Sequence, residues 1–259
     1  MVGSATQAEI DRTVEIVRNR VDKLGASDAE MTLSGRVISI RLPGVRQSAV
    51  AQIIGKPGLL EFYDFEADLA APSADPVAKA SLRGLLDGRK RVPRNTVVVT
   101  CDNRSGACPE LVPQSARTGY LLFKHIPGKV PEMTGKDLRA QSIRADVDPG
   151  TGEPIVVFQF TDRGKRIFRE ITRRGAHRGA LVGGNCGGSP PPNAQHFAIV
   201  LDGQIESVPY IDYCKNPNGI PGDNGAEINF GRGGSFAEAK RLALVLATGA
   251  LPVRLVRIR

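Results

Sequence analysis

Apolar residues recur at helical spacing early in the chain, at Ile10, Val14, Val17, Val21 and Leu24. This stripe predicts an amphipathic helix lying over a sheet. Thr6 with Glu9 supplies a capping box for its first turn, and Gly25 stands where a left-handed C-terminal cap belongs. Arg12, Arg18, Arg20 and Lys23 fall off the stripe, which assigns them to water or to a partner. From Val37 to Leu42 the pattern becomes alternation, with Ile38, Ile40 and Leu42 against Ser39 and Arg41, the mark of a half-buried strand. Pro43-Gly44 ends it. A short helix from Ser48 to Ile54 and a strand from Leu59 to Phe65 follow. This order is most of a split β-α-β unit. Its leading strand does not precede the helix, so that strand lies outside this chain or another segment supplies it.

From Glu66 to Pro93 the periodicity gives way to Ala, Pro, Ser and Asp and then to a basic loop, and the boundary of a second, inserted lobe is expected here. Asp75 followed by Pro76 marks the start of a short helix within it. Thr96 to Cys101 and Tyr120 to Lys124 read as strands, and Thr134 with Asp137 opens another short helix. Ser142 to Phe160 reads as a hairpin around Asp148-Pro149-Gly150-Thr151-Gly152. Its second strand, Ile155 to Phe160, is nearly all apolar and therefore buried. Thr161 caps a helix that buries Ile167, Phe168 and Ile171, and Gly183 to Asn193 reads as an irregular loop. Phe197 to Leu201 turns at Asp202-Gly203 into a strand from Gln204 to Ile211, a two-residue hairpin signal. Ser235 and Glu238 form a second capping box for a helix that buries Phe236, Ala239, Leu242, Ala243 and Leu246 and stops at Gly249. Leu251-Pro252-Val253 then leads into a closing strand to Arg259. The fold class is α+β, with mixed sheets partly covered by helices.

Composition narrows the function. Of 259 residues, 41% are hydrophobic, so the chain fills a real core; aromatics are 5% and Trp is absent, which argues against base-stacking platforms. The charge of +8 favours anionic partners, but no dense basic block exists. Arg89-Lys90-Arg91 with Arg94 is too short for a nucleic-acid footprint. No stretch reaches the apolar length that spans a bilayer, and Met1 to Ser4 run directly into a polar helix rather than a secretory leader. The chain therefore reads as soluble, or as a part of a larger membrane protein without its spans.

The four cysteines, Cys101, Cys108, Cys186 and Cys214, lack metal-ligand spacing, and the three histidines do not complete a site. They lie in loops or at strand ends, a placement that suits disulfides in an oxidising compartment. Chain order suggests Cys101–Cys108 and Cys186–Cys214, although four cysteines permit three pairings. Gly183-Gly184-Asn185-Cys186-Gly187-Gly188 lacks the Lys-Ser/Thr ending of a phosphate loop, and no Gly-x-Ser-x-Gly elbow occurs. Gly231-Arg232-Gly233-Gly234 precedes a helix but has no accompanying lysine or magnesium-binding hydroxyl. His125, His177 and His196 default to structural or surface roles, and Asp64, Glu66 and Asp68, without a positioned partner, read as a solvated lobe junction. No catalytic, cofactor or metal residue emerges, so a hydrolase reading has nothing to stand on.

Several of these segments, in order, resemble the first large extracytoplasmic domain of the SecD family. The resemblance is carried by Ile16-Val17-Arg18-Asn19-Arg20-Val21-Asp22-Lys23-Leu24-Gly25, Ile40-Arg41-Leu42-Pro43-Gly44-Val45 and Leu59-Leu60-Glu61-Phe62. It resumes at Met133-Thr134-Gly135 and at Val157-Phe158-Gln159-Phe160-Thr161-Asp162-Arg163-Gly164, with Phe168 and Thr172. It ends with Ala198-Ile199-Val200-Leu201-Asp202-Gly203, Val208-Pro209, Ile228 and Ala247-Thr248-Gly249-Ala250-Leu251-Pro252. It is poor between Ala67 and Val130, and the cysteines look like an addition private to this sequence.

The resemblance implies a ferredoxin-like base, residues 6–65 with 250–259 returning to it, and an inserted mixed α/β head, residues 66–249. It implies a SecD–SecF complex beside the SecYEG channel, on the extracytoplasmic side of the cytoplasmic membrane. There the head would hold an emerging preprotein and swing with energy from the proton gradient. The proton-carrying carboxylates would lie in membrane helices that this chain lacks. Hinges are expected near Glu66 to Pro72 and at Gly249, Ala250 and Pro252. A competing reading is a secreted basic module for anionic envelope polymers or lipid headgroups.

Overall fold

The computed structural model describes residues 5–25, 29–43, 53–70, 91–183, 186–229 and 235–256. The sequence-predicted helix around Asp75, the glycines 231, 233 and 234, Arg89, Lys90 and Pro72 lie outside the described residues, as does most of the 48–54 helix.

The chain opens with α1 (Gln7–Lys23), capped by Thr6 and Glu9 in the expected reciprocal box. Its buried residues are Thr13, Ile16, Val17, Arg20 and Val21. The buried face is thus rotated from the apolar stripe: Ile10, Val14 and Leu24 are only half-buried, and Arg20, expected in water, is fully enclosed. Beneath α1 lies the antiparallel hairpin of β1 (Glu30–Ser34) and β2 (Val37–Arg41). Val17, Val21, Ile54 and Leu251 form its small core with Met31, Ile40 and Leu42.

The largest element is a seven-stranded sheet. Its strands are β3 (Leu60–Asp64), β4 (Thr96–Asp102), β5 (Thr118–Lys124), β6 (Met133–Thr134), β9 (Gln195–Leu201), β10 (Gln204–Ser207) and β11 (Tyr210–Ile211). They run in the order β5-β4-β10-β9-β3-β6, with β11 also pairing β9. The β10–β4 pair is parallel and the rest are antiparallel. Asp202 and Gly203 both take positive φ in the two-residue turn from β9 to β10, as their sequence demands. The single strand expected from Gln204 to Ile211 is two pieces, because the register shifts at Ser207 and Pro209 cannot donate to a ladder.

Both faces of this sheet are covered, and the period-2 alternation of its central strands shows how. Phe197, Ile199 and Leu201 of β9 join Leu60 and Phe62 of β3 in one core; Ala198 and Val200 join Tyr63 in another. Over the first face pack α3 (Asp162–Gly183) and a three-stranded sheet in the order β12-β8-β7, formed by β7 (Arg144–Val147), β8 (Pro154–Phe158) and β12 (Ala226–Asn229). The last helix, α4 (Phe236–Thr248), backs that smaller sheet with Ala239, Leu242, Ala243 and Leu246. Phe236, expected in the core, is 40% exposed; it sits at the first helical position with Lys240 over its ring. Short α2 (Phe65–Asp68) follows β3 directly.

Three features depart from the sequence reading. Strands β6 and β12 appear where none was expected. Residues 253–256 form no strand, so the closing strand is absent among the described residues. Strand β3, grouped by sequence with the α1 layer, is hydrogen-bonded between β9 and β6 in the large sheet.

Candidate functional site

The chain crosses from the α1 layer to the large sheet at residues 53–59 and returns at residues 248–251. Arg20 meets both crossings. Its Nη1 donates to the carbonyls of Ile53 (3.1 Å), Ile54 (3.1 Å) and Lys56 (2.5 Å). Its Nε donates to Thr248 Oγ1 (3.1 Å) and its Nη2 to the Gly249 carbonyl (2.9 Å). These acceptors lie at the end of α4 and of the helical turn at residues 53–54, where carbonyls lack intrahelical partners and the helix dipole is negative. A guanidinium fits such an end because its planar fork donates in several directions at once. Each charge-assisted bond is worth about 1.5–3 kcal/mol, set against the cost of burying the charge.

Burial pulls the Arg20 guanidinium down to about 10, against the opposing charge of Asp202, so it stays protonated at neutral pH. Around it the crossings are tied to each other. The Leu251 N–H donates to the Pro57 carbonyl (2.7 Å), and Leu59 exchanges bonds with Asp202, whose Oδ1 accepts from the Leu59 N–H at 2.8 Å. Gly58 has φ +72°, and a methyl there would lie 2.8 Å from Val245 Cγ1 and 3.0 Å from Arg20 Nη2. Glycine is therefore required twice over at this position.

Beside this joint opens a cleft of about 1660 Å³, walled by Ile40 and Leu42 on the hairpin side and by Leu201 and Glu206 on the sheet side. Burial pushes the Glu206 carboxyl up to about 7, the nearby Asp202 adds to this, and Lys56 opposes it. Among the described residues no group of His, Cys, Asp and Glu gathers to hold a metal ion, and no helix is long and apolar enough to cross a membrane.

The other residues singled out by sequence have defined places. Cys101–Cys108 and Cys186–Cys214 are bonded, with Cα separations of 5.2 and 5.7 Å. Cys101 is 1% exposed and belongs to the second core, whereas Cys186 is at the surface beyond α3. Asp64, Glu66 and Asp68, expected to be solvated and unpartnered, are held. Asp64 accepts from Arg178 of α3 at 2.5 Å, and Glu66 pairs with His196 Nδ1 of β9 at 2.7 Å. Asp68 accepts from the Asp64 N–H at 3.0 Å, and burial pushes its carboxyl up to about 6. His125 lies 3.2 Å from Glu61. Gly249, with φ +85°, ends α4 at the joint, and Ala250 and Pro252 follow it on the returning crossing. Sequence reasoning missed Arg20. Its only signal is its spacing from Thr13, Ile16 and Val17, which hydropathy alone does not pick out.

Comparison with known proteins assigns the chain. The family model for the SecDF P1 head subdomain matches residues 110–253, and that for the N-terminal part of the P1 domain of the protein translocase subunit SecDF matches residues 10–67. The protein translocase subunit SecD of Elusimicrobium minutum is 28% identical over 251 residues, covering 96% of this chain and 45% of its own length. That of Rhodobacter capsulatus is 30% identical over 248 residues, 94% of this chain and 33% of its own. The chain thus spans less than half the length of these relatives. Among solved structures, a chain described as the membrane component SecDF that enhances protein export aligns at a TM-score of 0.59 and 25% identity. That alignment covers 100% of this chain and 96% of the solved one. SecDF in its super-membrane-facing form gives the same TM-score over 98% of this chain and 28% of its own. Nothing in these similarities supports a module for anionic envelope polymers or lipid headgroups. By the family models that cover its two ends in order, this chain belongs to the SecD P1 domain family.

Proposed function

We propose that the chain is the extracytoplasmic P1 region of a SecD subunit, working with SecF and the SecYEG channel, and that it handles the emerging preprotein to assist proton-motive-force-driven export. In this reading α1 and the β1–β2 hairpin, with residues 250–256 returning to them, form a ferredoxin-like base. The head that turns on it begins at β3 rather than at residue 66, because β3 pairs with β9 and β6 in the large sheet. The observation that carries the reading is the joint. The small core under α1 is separate from the two cores that clamp the large sheet, and the chain crosses between them at two points drawn together around Arg20. Two separately cored bodies with paired crossings are built for rigid-body motion. The hinge falls at Gly249, Ala250 and Pro252 opposite Lys56 to Gly58; Glu66, expected to share in it, lies within the head, paired with His196 of β9. Paired cysteines fit an oxidising, extracytoplasmic location. The role is mechanical and needs no enzyme activity; the energy would enter through parts of the relatives that this chain does not span.

Photo-crosslinking tests the proposal. Probes replace Tyr210 or Phe236, which are 39% and 40% exposed, in the full-length protein in cells, with a secretory protein stalled halfway through export. Trapping of the stalled chain is expected. Probes across the head that trap only membrane subunits would overturn it.

A further inference from the structure

Five hydrogen bonds run from one buried guanidinium to two separate crossings, and none of them ends on a carboxylate. That choice of acceptors has a consequence. A carboxylate partner would travel with the arginine or against it as a unit. Neutral acceptors, four carbonyls and one hydroxyl, on two separate crossings hold the charge only while both crossings are in place. If the returning crossing moves, the Thr248 and Gly249 acceptors leave together, and the charge remains buried with three of its five partners. Such a state is costly, so intermediate positions are disfavoured. Gly58 adds to this, because Val245 of α4 and the guanidinium occupy the space that any side chain at this position would need.

We infer that Arg20 is a positioning residue, a two-armed latch that seats the returning crossing against the entering one and makes the joint snap between a seated and a released state. This rests on the reading of the two bodies as base and head. Thr248 is the second member of the latch: its hydroxyl accepts from Arg20 Nε and donates back to the Leu244 carbonyl (2.8 Å), anchoring the last turn of α4. Asp202 stands on the sheet side, its charge working against the downward pull that burial exerts on the guanidinium.

The test is a distance measurement in the full-length membrane protein, with nitroxide-bearing unnatural residues at positions 12 and 166, which are exposed on α1 and on α3. One narrow distribution is expected for the unaltered protein. Arg20→Met keeps most of the unbranched stem but removes every donor, and should broaden the distribution and slow export. Arg20→Lys, with one nitrogen, reaches one crossing and should give an intermediate width. Thr248→Val removes a single acceptor, disturbs the fold least, and should still broaden it measurably. If Arg20→Met proves too unstable, Thr248→Val and Arg20→Lys decide. Widths unchanged in all variants that fold would overturn the latch. The crosslinking experiment fails or succeeds independently, since it reads contact with the preprotein and not the angle of the joint.

Discussion

Gly164 offers a test of how tightly α3 is seated. This glycine lies in the first turn of the helix, pressed against the backbone of Asp137, and a methyl group there would overlap the Asp137 carbonyl oxygen. Neither side gives way easily. That carbonyl accepts from the Thr161 N–H (2.8 Å) and from Thr161 Oγ1 (3.1 Å), while Thr161 Oγ1 in turn caps the Gly164 N–H (3.0 Å). Moving the helix far enough to admit Gly164→Ala opens this cap. Forced overpacking costs about 1–3 kcal/mol and a lost N-cap about 1 kcal/mol. Removing a helical glycine returns up to about 1 kcal/mol. The net expectation is a loss of roughly 1–3 kcal/mol, or about 2–12 °C in Tm for a chain of this size. Urea and thermal melts of the isolated chain measure it. Gly175→Ala is the control: its methyl meets the tip of the Ile211 side chain, which can rotate away, so that variant should be near neutral. If Gly164→Ala is as stable as Gly175→Ala, the argument from backbone contact is wrong.

Other expectations follow from the same coordinates. Mild reductant should open Cys186–Cys214 before Cys101–Cys108, because Cys101 is buried and Cys186 exposed; alkylation and mass spectrometry read the order, and simultaneous opening would contradict it. Replacing both Cys186 and Cys214 by Ala should cost about 3.5 kcal/mol on the loop-entropy model for their separation of 28 residues; a guanidinium melt showing no loss would refute that. Glu206 and Asp68 both bind protons more tightly folded than unfolded. The stability this gives is complete below the unfolded carboxyl range and is lost as pH rises through about 6 for Asp68 and about 7 for Glu206. Glu206→Gln should therefore flatten the fall in Tm between acid and alkaline buffer, and an unchanged slope would contradict burial as the cause.

What the sequence made legible was whatever is decided locally. Thr6 with Glu9 and Ser235 with Glu238 close their capping boxes as drawn, and Asp202-Gly203 makes its turn, because each depends on atoms a few residues apart. The β7–β8 hairpin was visible for the same reason. Strands β6 and β12 were not. Met133 and Thr134 are a strand only because β3 lies alongside them, and Ala226 to Asn229 only because β8 does. Asp64 and Glu66 looked solvated because Arg178 and His196, their partners on α3 and β9, are more than a hundred residues away.

Arg20 shows the limit most clearly, and the reason bears on function. Periodicity measures where apolar side chains fall, not which face is buried, and on α1 the two differ because the crossings at 53–56 and 248–249 present carbonyls rather than methyls. A helix that only covered a sheet would bury its apolar stripe and leave its arginines wet. A helix that must also grip two passing strands has to turn a donor inward, and the stripe rotates to allow it. The departure from the simple amphipathic pattern is thus where the α1 layer stops being scaffold and becomes the seat of a joint. The same logic explains the large sheet: β3 enters it straight from the joint and runs in register against β9 from Leu60↔Leu201 to Asp64↔Phe197. A pull on the sheet reaches the joint through that ladder, whose bonds must fail in shear together, before it reaches α1. In the proposed reading, that ladder is what would let the head move as a whole.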